Sequence, residues 1–346
     1  MILFHYFRGV KNGFIATIGF FDGVHLGHQY LIRQVLAEAG RRGLAPLLIT
    51  FDRHPREIFA PKEVPTLLTT TEEKRELLSR CGIGQIHFLH FDHTMATMTA
   101  QTFMQRILYD ELRVRALVIG YDHHFGKPQF KPATNPAIQE VKAEGFEEYA
   151  AYGKAIGIDV IRASEIEASF HISSSVIRRA LGQGDIHTAT QALGRPYQWT
   201  GIVTHGQAIG RRLGYPTANL SPLVPSKLLP ANGVYAVWAC IEGEVQAPAE
   251  AEATVQRQES TQWTVPVFVQ AMLNIGTRPT VGGNDVSIEA HLIDFEGDLY
   301  GHRLTIYFIE RIRSEHRFAN EQDLAAQLTR DKEQAIKLLS CQPKPH

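Results

Sequence analysis

Hydrophobic and polar positions change rhythm once along the chain. In the first half, short uncharged runs alternate with stretches of helical period. Ile15–Ile18 reads as a buried strand, followed by Gly19-Phe-Phe-Asp-Gly23, whose two glycines permit a sharp turn. From Gln29 the pattern is helical, with Leu31, Val35 and Ala39 on one face and Ile32 and Leu36 beside them, until Gly40-Arg-Arg-Gly43 stops it. Ala45–Phe51, Ile86–Phe91, Arg115–Gly120 and Ile156–Ile161 are further predicted strands. Between them lie predicted helices at Glu72–Cys81, with Thr70 and Glu73 spaced as a capping box, at Ala100–Leu112, and at Glu140–Tyr152. This alternation predicts a parallel α/β sheet, whose ligands gather at the carboxyl ends of its strands. Ser173–Ser175 then begin another helix, with Arg178 in its first turns.

Near Gly194–Tyr197 the period falls to two. Tyr197–Thr204, Gly233–Ile241, Val265–Leu273, Val286–Ile293 and Leu304–Ile312 read as strands of an antiparallel barrel or sandwich, closed by a helix from Asn320. The polar stretch between Glu242 and Trp263 is expected to project as a loop between two strands. The expected division is residues 1–185 and 186–346.

Composition narrows the class. Thirty-five basic against 36 acidic residues in 346 give a net charge of −1, without the footprint of a nucleic-acid or membrane binder. Three scattered cysteines suggest neither a disulfide framework nor a zinc site. No run of about 18 apolar residues occurs, and Met1–Gly13 lacks the pattern of a cleaved leader, so a cytoplasmic protein is expected.

Several short stretches carry candidate chemistry. Strand, glycine turn and helix around Gly19–His28 bring backbone N–H groups and a helix start together, which suits phosphate, and His25 and His28 add imidazoles there. His25 and His28 could equally be capping residues. The Ser173–Ser175 hydroxyls with Arg178 suit an anion, although a serine N-cap needs no ligand. Gly206, Gly210 and Gly214 mark a basic loop with phosphate-binding character, and Thr217 and Asn219 offer neutral oxygens to a hard cation. Glu289 shares a strand face with Ser287 and His291, placing a carboxylate where it could act as a general base or remain merely solvated.

In this order the motifs resemble those of the bacterial bifunctional riboflavin kinase/FAD synthetase family. GFFDGVHLGH (Gly19–His28) is similar to the family's nucleotidyltransferase signature, and Ile172–Arg178 to the motif that closes over the triphosphate. Gly214–Asn219, Asn274–Thr280 and Glu289–Gly301 resemble its kinase module. The resemblance implies a nucleotidyltransferase domain followed by a β-barrel kinase domain. It implies transfer of the ATP γ-phosphoryl to riboflavin, then adenylylation of FMN to FAD, with Mg²⁺ or another divalent cation.

By the same resemblance, ATP phosphates would be held by Gly19, Phe20, Asp22, Gly23, His25, Gly27, His28, Ser173, Ser174, Ser175 and Arg178. In the kinase module that part falls to Gly206, Gly210, Gly214, Pro216 and Thr217. His54, Asp122, Asn274 and Arg278 would contact flavin, Thr217 and Asn219 the metal, and Glu289 the reacting hydroxyl. Departures fall at Arg53, at His123-His124 and in 127–152. Two other readings stand beside this one: a kinase with a weak or inactive first module, and a non-catalytic flavin-binding regulator.

Overall fold

The computed structural model describes residues 10, 12–120, 129–130, 141–142, 145–205, 215–242, 245–246, 262–263, 266–280, 283–316 and 318–345. The chain forms two compact units, Met1–Ile172 and Ser173–His346.

The first unit is built on a five-stranded parallel sheet. Its strands are β1 (Phe14–Ile18), β2 (Ala45–Phe51), β3 (Ile86–Leu89), β4 (Val114–Ile119) and, after a short β5/β6 pair (Gln129–Phe130 with Val141–Lys142), β7 (Asp159–Arg162). The spatial order is β3-β2-β1-β4-β7. The chain leaves β1 toward β2 on one side and returns as β4 on the other, so the carboxyl end of β1 lies at the topological switch point. β1 is buried throughout because both faces are covered. Ile15 packs with Ile32, Val35 and Ala39 of helix α1 (Leu26–Arg42), whereas Phe14, Ala16 and Ile18 pack with Phe103, Met104 and Leu108.

Helices α2 (Arg56–Phe59), α3 (Thr71–Arg80), α4 (His93–Thr97), α5 (Ala100–Phe103) and α6 (Phe146–Ile156) complete the unit. The predicted capping box forms: Thr70 Oγ1 accepts from the Glu73 N–H, and Glu73 accepts from the Thr70 N–H.

Three expectations need correction. The predicted Ala100–Leu112 helix is α-helical only to Phe103 and runs as π-helix over Met104–Glu111, a widening that nothing in the sequence pattern signals. The predicted Glu140–Tyr152 helix starts instead at Phe146, after strand β6, because the Glu148 carboxylate caps the Gly145 N–H at 2.9 Å. It also runs through Ile156 to a left-handed Gly157 (φ 86°), which delays the next strand to Asp159.

The second unit begins with α7 (Ser174–Gln183) and α8 (Ile186–Leu193), the latter not foreseen. Its closed barrel comprises β8 (Tyr197–Thr204), β9 (Ala218–Pro222), β10 (Gly233–Glu242), β13 (Val267–Thr280), β14 (Gly283–Leu292) and β15 (Arg303–Arg313), in the order β10-β13-β14-β9-β8-β15. A small hairpin, β11 (Val245–Gln246) with β12 (Gln262–Trp263), flanks the polar insertion, whose interior lies outside the described residues.

The last helix (Glu321–Ser340) begins at the expected place, and Asn320 caps it. Its Ala335 and Leu339 pack on Ala236, Trp238 and Met272, which explains why β10 is buried on both faces. Arg313 reinforces that docking through a fork onto the buried Asp331 carboxylate (2.8–3.1 Å).

Candidate active sites

The turn after β1 is held from below. The Asp22 carboxylate, 3 % exposed, accepts from the backbone N–H groups of Leu68 and Thr69 and from Thr69 Oγ1, all at 3.0–3.1 Å, and Thr69 Oγ1 also accepts from the Gly23 N–H. This clamp sustains an unusual backbone. Phe21 (φ 56°), Gly23 (φ 82°) and Val24 (φ 41°) all lie in the left-handed region, which is unfavourable for a β-branched residue such as valine.

The turn delivers His25 to the N-cap of α1, where Nδ1 accepts from the His28 N–H at 3.3 Å. A neutral His25 with an accepting Nδ1 carries its proton on Nε2, which leaves that nitrogen a donor. The His25 and His28 rings stack at 3.6 Å, and Phe21 meets His28 edge-on. The first turn of α1 has no acidic residue, whereas Arg41 and Arg42 occupy its last turn, so the positive end of the helix dipole is left for an anion.

Gly27 makes room for the His25 ring: a Cβ there would lie 3.2 Å from Cε1 and Nδ1. Gly27→Ala is therefore expected to displace His25 and, for the adenylyl transfer that the resemblance implies, to lower FAD formation by roughly tenfold, without unfolding a helix that alanine favours. FMN-to-FAD kinetics with circular dichroism check this.

The structure brings Phe20 and His54 together, ring centroids 4.6 Å apart, where β1 and β2 end. His54 Nδ1 accepts from the Arg56 N–H, and the Glu57 carboxylate caps the His54 N–H, fixing the segment after β2. Lys74 is a residue the sequence reading missed. It is 2 % exposed, and its Nζ donates to the carbonyls of Phe20 (3.1 Å) and Phe51 (2.9 Å). The available signal was a lysine on the stripe shared by Leu77, Leu78 and Cys81. Asp122 lies outside the described residues, as does the turn containing His123 and His124.

The second unit carries Ser173 as the N-cap of α7, its Oγ accepting from the Val176 N–H, with Ser174, Ser175 and a half-buried Arg178 in the first turns. α7 is fixed to the barrel at its other end. The Ala231 N–H donates to the Leu181 carbonyl, and Arg311 passes so close to the left-handed Gly184 that a Cβ would meet it at 2.7 Å.

On the barrel, register defines the site. Asn274 pairs with Glu289, Glu289 with Asn219, and Asn219 with Thr204, on four successive strands. Directly opposed residues point to the same face, so these four form one polar row. Alternation puts His291 and Met272 on that face too, the one against which the last helix packs. Ile288 and Ala290 are buried on the opposite side, as the sequence predicted.

The strand-entry segment crosses the row. Tyr215 O–H bonds with Thr329 Oγ1 of the last helix (2.8 Å), His291 Nδ1 donates to the Pro216 carbonyl (2.9 Å), and Thr217 Oγ1 donates to Glu289 Oε2 (3.4 Å). Gly206, Gly210 and Gly214 lie outside the described residues, as does the side chain of Arg278.

Burial lowers the His291 pKa from the ordinary 6.5. A histidine held neutral in the folded state takes up its proton more readily when unfolded. Its contribution is thus complete above about pH 6.5 and is lost as pH falls through the lower, folded value. The melting temperature of the barrel should fall between about pH 7 and 5, and His291→Gln should flatten that part of the profile.

Among the described residues, no helix is long and apolar enough to cross a membrane, and no group of three or more His, Cys, Asp or Glu residues could hold a metal ion. Cys81, Cys240 and Cys341 are free thiols.

Comparison with known proteins matches both halves. A family model described as FAD synthetase covers residues 8–175 and one described as riboflavin kinase covers 193–339. The bifunctional riboflavin kinase/FMN adenylyltransferase of Escherichia coli K12 is 34% identical, over 94% of both chains. That of Bacillus subtilis 168 is 32% identical, over 94% of this chain and 92% of its own. A crystal structure from Streptococcus pneumoniae, titled a macrolide-efflux protein, superposes with a TM-score of 0.74 at 30% identity over 94% of each chain. With both modules matched in order and the curated relatives aligned nearly end to end, the chain belongs to the bifunctional riboflavin kinase/FMN adenylyltransferase family.

Proposed function

We propose that the chain converts riboflavin and ATP to FMN and ADP on its barrel, and FMN and ATP to FAD and pyrophosphate on its parallel-sheet module. The observation that carries this is the polar row Asn274–Glu289–Asn219, with Thr217 leaning on the glutamate. A carboxylate beside two asparagines in register, with a threonine hydroxyl on one of its oxygens, suits a base beside phosphates.

In the kinase reaction Glu289 takes the proton of the ribityl 5′-hydroxyl as its oxygen bonds to the γ-phosphorus and ADP departs. Thr217 and Asn219 would hold Mg²⁺, which their neutral oxygens fit and which offsets phosphate charge when bound. Pro216 is fixed by His291, so Thr217 is presented to the phosphates on a short tether. Asn274, next to Glu289 in register, would orient the flavin, together with Arg278.

In adenylyl transfer the FMN phosphate is already ionised near neutral pH and attacks the α-phosphorus without a base. His25 donates from Nε2, while His28 and the positive end of the α1 dipole receive charge moving onto pyrophosphate. Phe20 and His54 would lie against the flavin side. Asp22, Gly19, Gly23 and Gly27 shape the turn rather than touch the nucleotide. Ser173–Ser175 and Arg178 are assigned to the triphosphate by motif.

We assign the adenylyltransferase module to residues 1–185 and the kinase to 186–346, with α7 grouped by packing with the barrel. Free thiols and ATP as co-substrate suit the cytoplasm. Thr217, Asn219 and Glu289 are all present, which favours turnover over a regulator that only binds flavin.

A time course with riboflavin, ATP and Mg²⁺, resolving the flavins, tests the reading. FMN should appear first and FAD later. FMN without FAD would leave a kinase alone, and flavin binding with no FMN would leave the regulator.

A further inference from the structure

Lys74 is the fourth residue of α3, on its apolar stripe, yet it is 2 % exposed and carries an ammonium. Its two hydrogen bonds go to carbonyls at the carboxyl ends of adjacent parallel strands: Phe51 closes β2, and Phe20 lies in the turn after β1. The same Nζ sits 4.1 Å from the centroid of the Phe20 ring, whose edge contact is His54.

The surrounding charges come from each element packed there. Asp22 lies in the β1 turn. Asp52 follows β2 and is bonded to His90 (2.6 Å), with Arg53 3.9 Å away. Arg75 lies over Phe88, and His87 is on β3. The two aspartates raise the Lys74 pKa, but loss of hydration outweighs them and brings it down to about 8.

A folded state that disfavours its own buried cation keeps it at a cost in stability. An apolar side chain would fill this stripe more cheaply, a pattern typical of functional sites.

We propose that Lys74 is a positioning residue for adenylyl transfer, its ammonium fixing the Gly19–Gly23 turn against the Asp52–Pro55 segment so that nucleotide and flavin meet in register. This rests on the adenylyltransferase reading given above.

The test measures FMN-to-FAD and riboflavin-to-FMN rates of the full chain between pH 6.5 and 9.5, for wild type, Lys74→Met and Lys74→Arg. Lys74→Met should lower kcat for FAD formation by about tenfold or more at pH 7, while riboflavin phosphorylation is unchanged. Wild-type FAD formation should fall, relative to the kinase rate, as pH rises past about 8. Lys74→Arg should keep most of the neutral-pH rate and move that fall to higher pH, since guanidinium does not deprotonate there.

A purely structural lysine would leave the shape of the pH profile the same in all three proteins, and that result overturns the proposal. So does wild-type FAD formation in Lys74→Met. If Lys74→Met does not fold, the alkaline limb of Lys74→Arg decides alone: displaced upward it supports the proposal, unmoved it overturns it. A wild-type protein that makes FMN but no FAD at any pH would instead overturn the adenylyltransferase reading and this inference with it.

Discussion

Glu289→Gln is expected to cut FMN formation from riboflavin by about three orders of magnitude, within the range for a lost general base. The substitution keeps size and shape, so the cause is chemical. Amide nitrogen and oxygen can still meet Thr217 and face Asn219 and Asn274, but the group no longer accepts the hydroxyl proton. Glu289 lies half-buried on β14 with its two strand neighbours, Ile288 and Ala290, buried on the other side. The KM for riboflavin should change far less than kcat, because binding and the lost proton transfer are separable. Supplied FMN should be adenylylated at the wild-type rate. Steady-state kinetics of both half-reactions check this.

Asp22→Ala should do the opposite, leaving the kinase and removing FAD formation. The Asp22 carboxylate closes a set of buried donors, the N–H groups of Leu68 and Thr69 and the Thr69 hydroxyl. Deleting it strands these donors, at a cost of roughly 3–5 kcal/mol. The clamp also opposes the strain of Phe21 and Val24, so the turn should relax and carry His25 away from its capping position. The expected result is a thermal transition of the first unit lowered by about 10 °C or more, with FAD formation lost even below that transition. Calorimetry with both assays at a permissive temperature checks this. A variant that melts early yet makes FAD at the wild-type rate below its transition would mean that the turn tolerates release of its clamp.

What could be read from the sequence followed from physics that acts locally. Apolar patterning located β2, β8 and β10 to within a residue and found α1 without its first three residues. The paired capping groups Thr70 and Glu73 marked a helix start that the structure reproduces, and the last helix begins where the pattern placed it, at Asn320. Reading failed where a neighbour distant in sequence decides. β9 has Leu220 as its one buried position, and only pairing with β8 and β14 makes Ala218–Pro222 a strand. Nothing local distinguishes the π-helical turn at Met104–Glu111. Thr217, Asn219, Asn274 and Glu289 could be named one by one. That Asn219, Glu289 and Asn274 share a row is a fact of register, and register is set by the whole barrel. Lys74 was hidden because a lysine in a charged helix reads as solvated unless its carbonyl partners are known.

The central claim is that one chain carries two separable catalytic sites in series. Mixing Glu289→Gln with His28→Ala, in the presence of riboflavin, ATP and Mg²⁺, tests it most directly. Alone, the first should yield neither FMN nor FAD and the second should stop at FMN. Together they should produce FAD, because FMN made by one protein is adenylylated by the other. If either single variant loses both half-reactions while folded, or if the mixture accumulates FMN without FAD, the two-site account is contradicted.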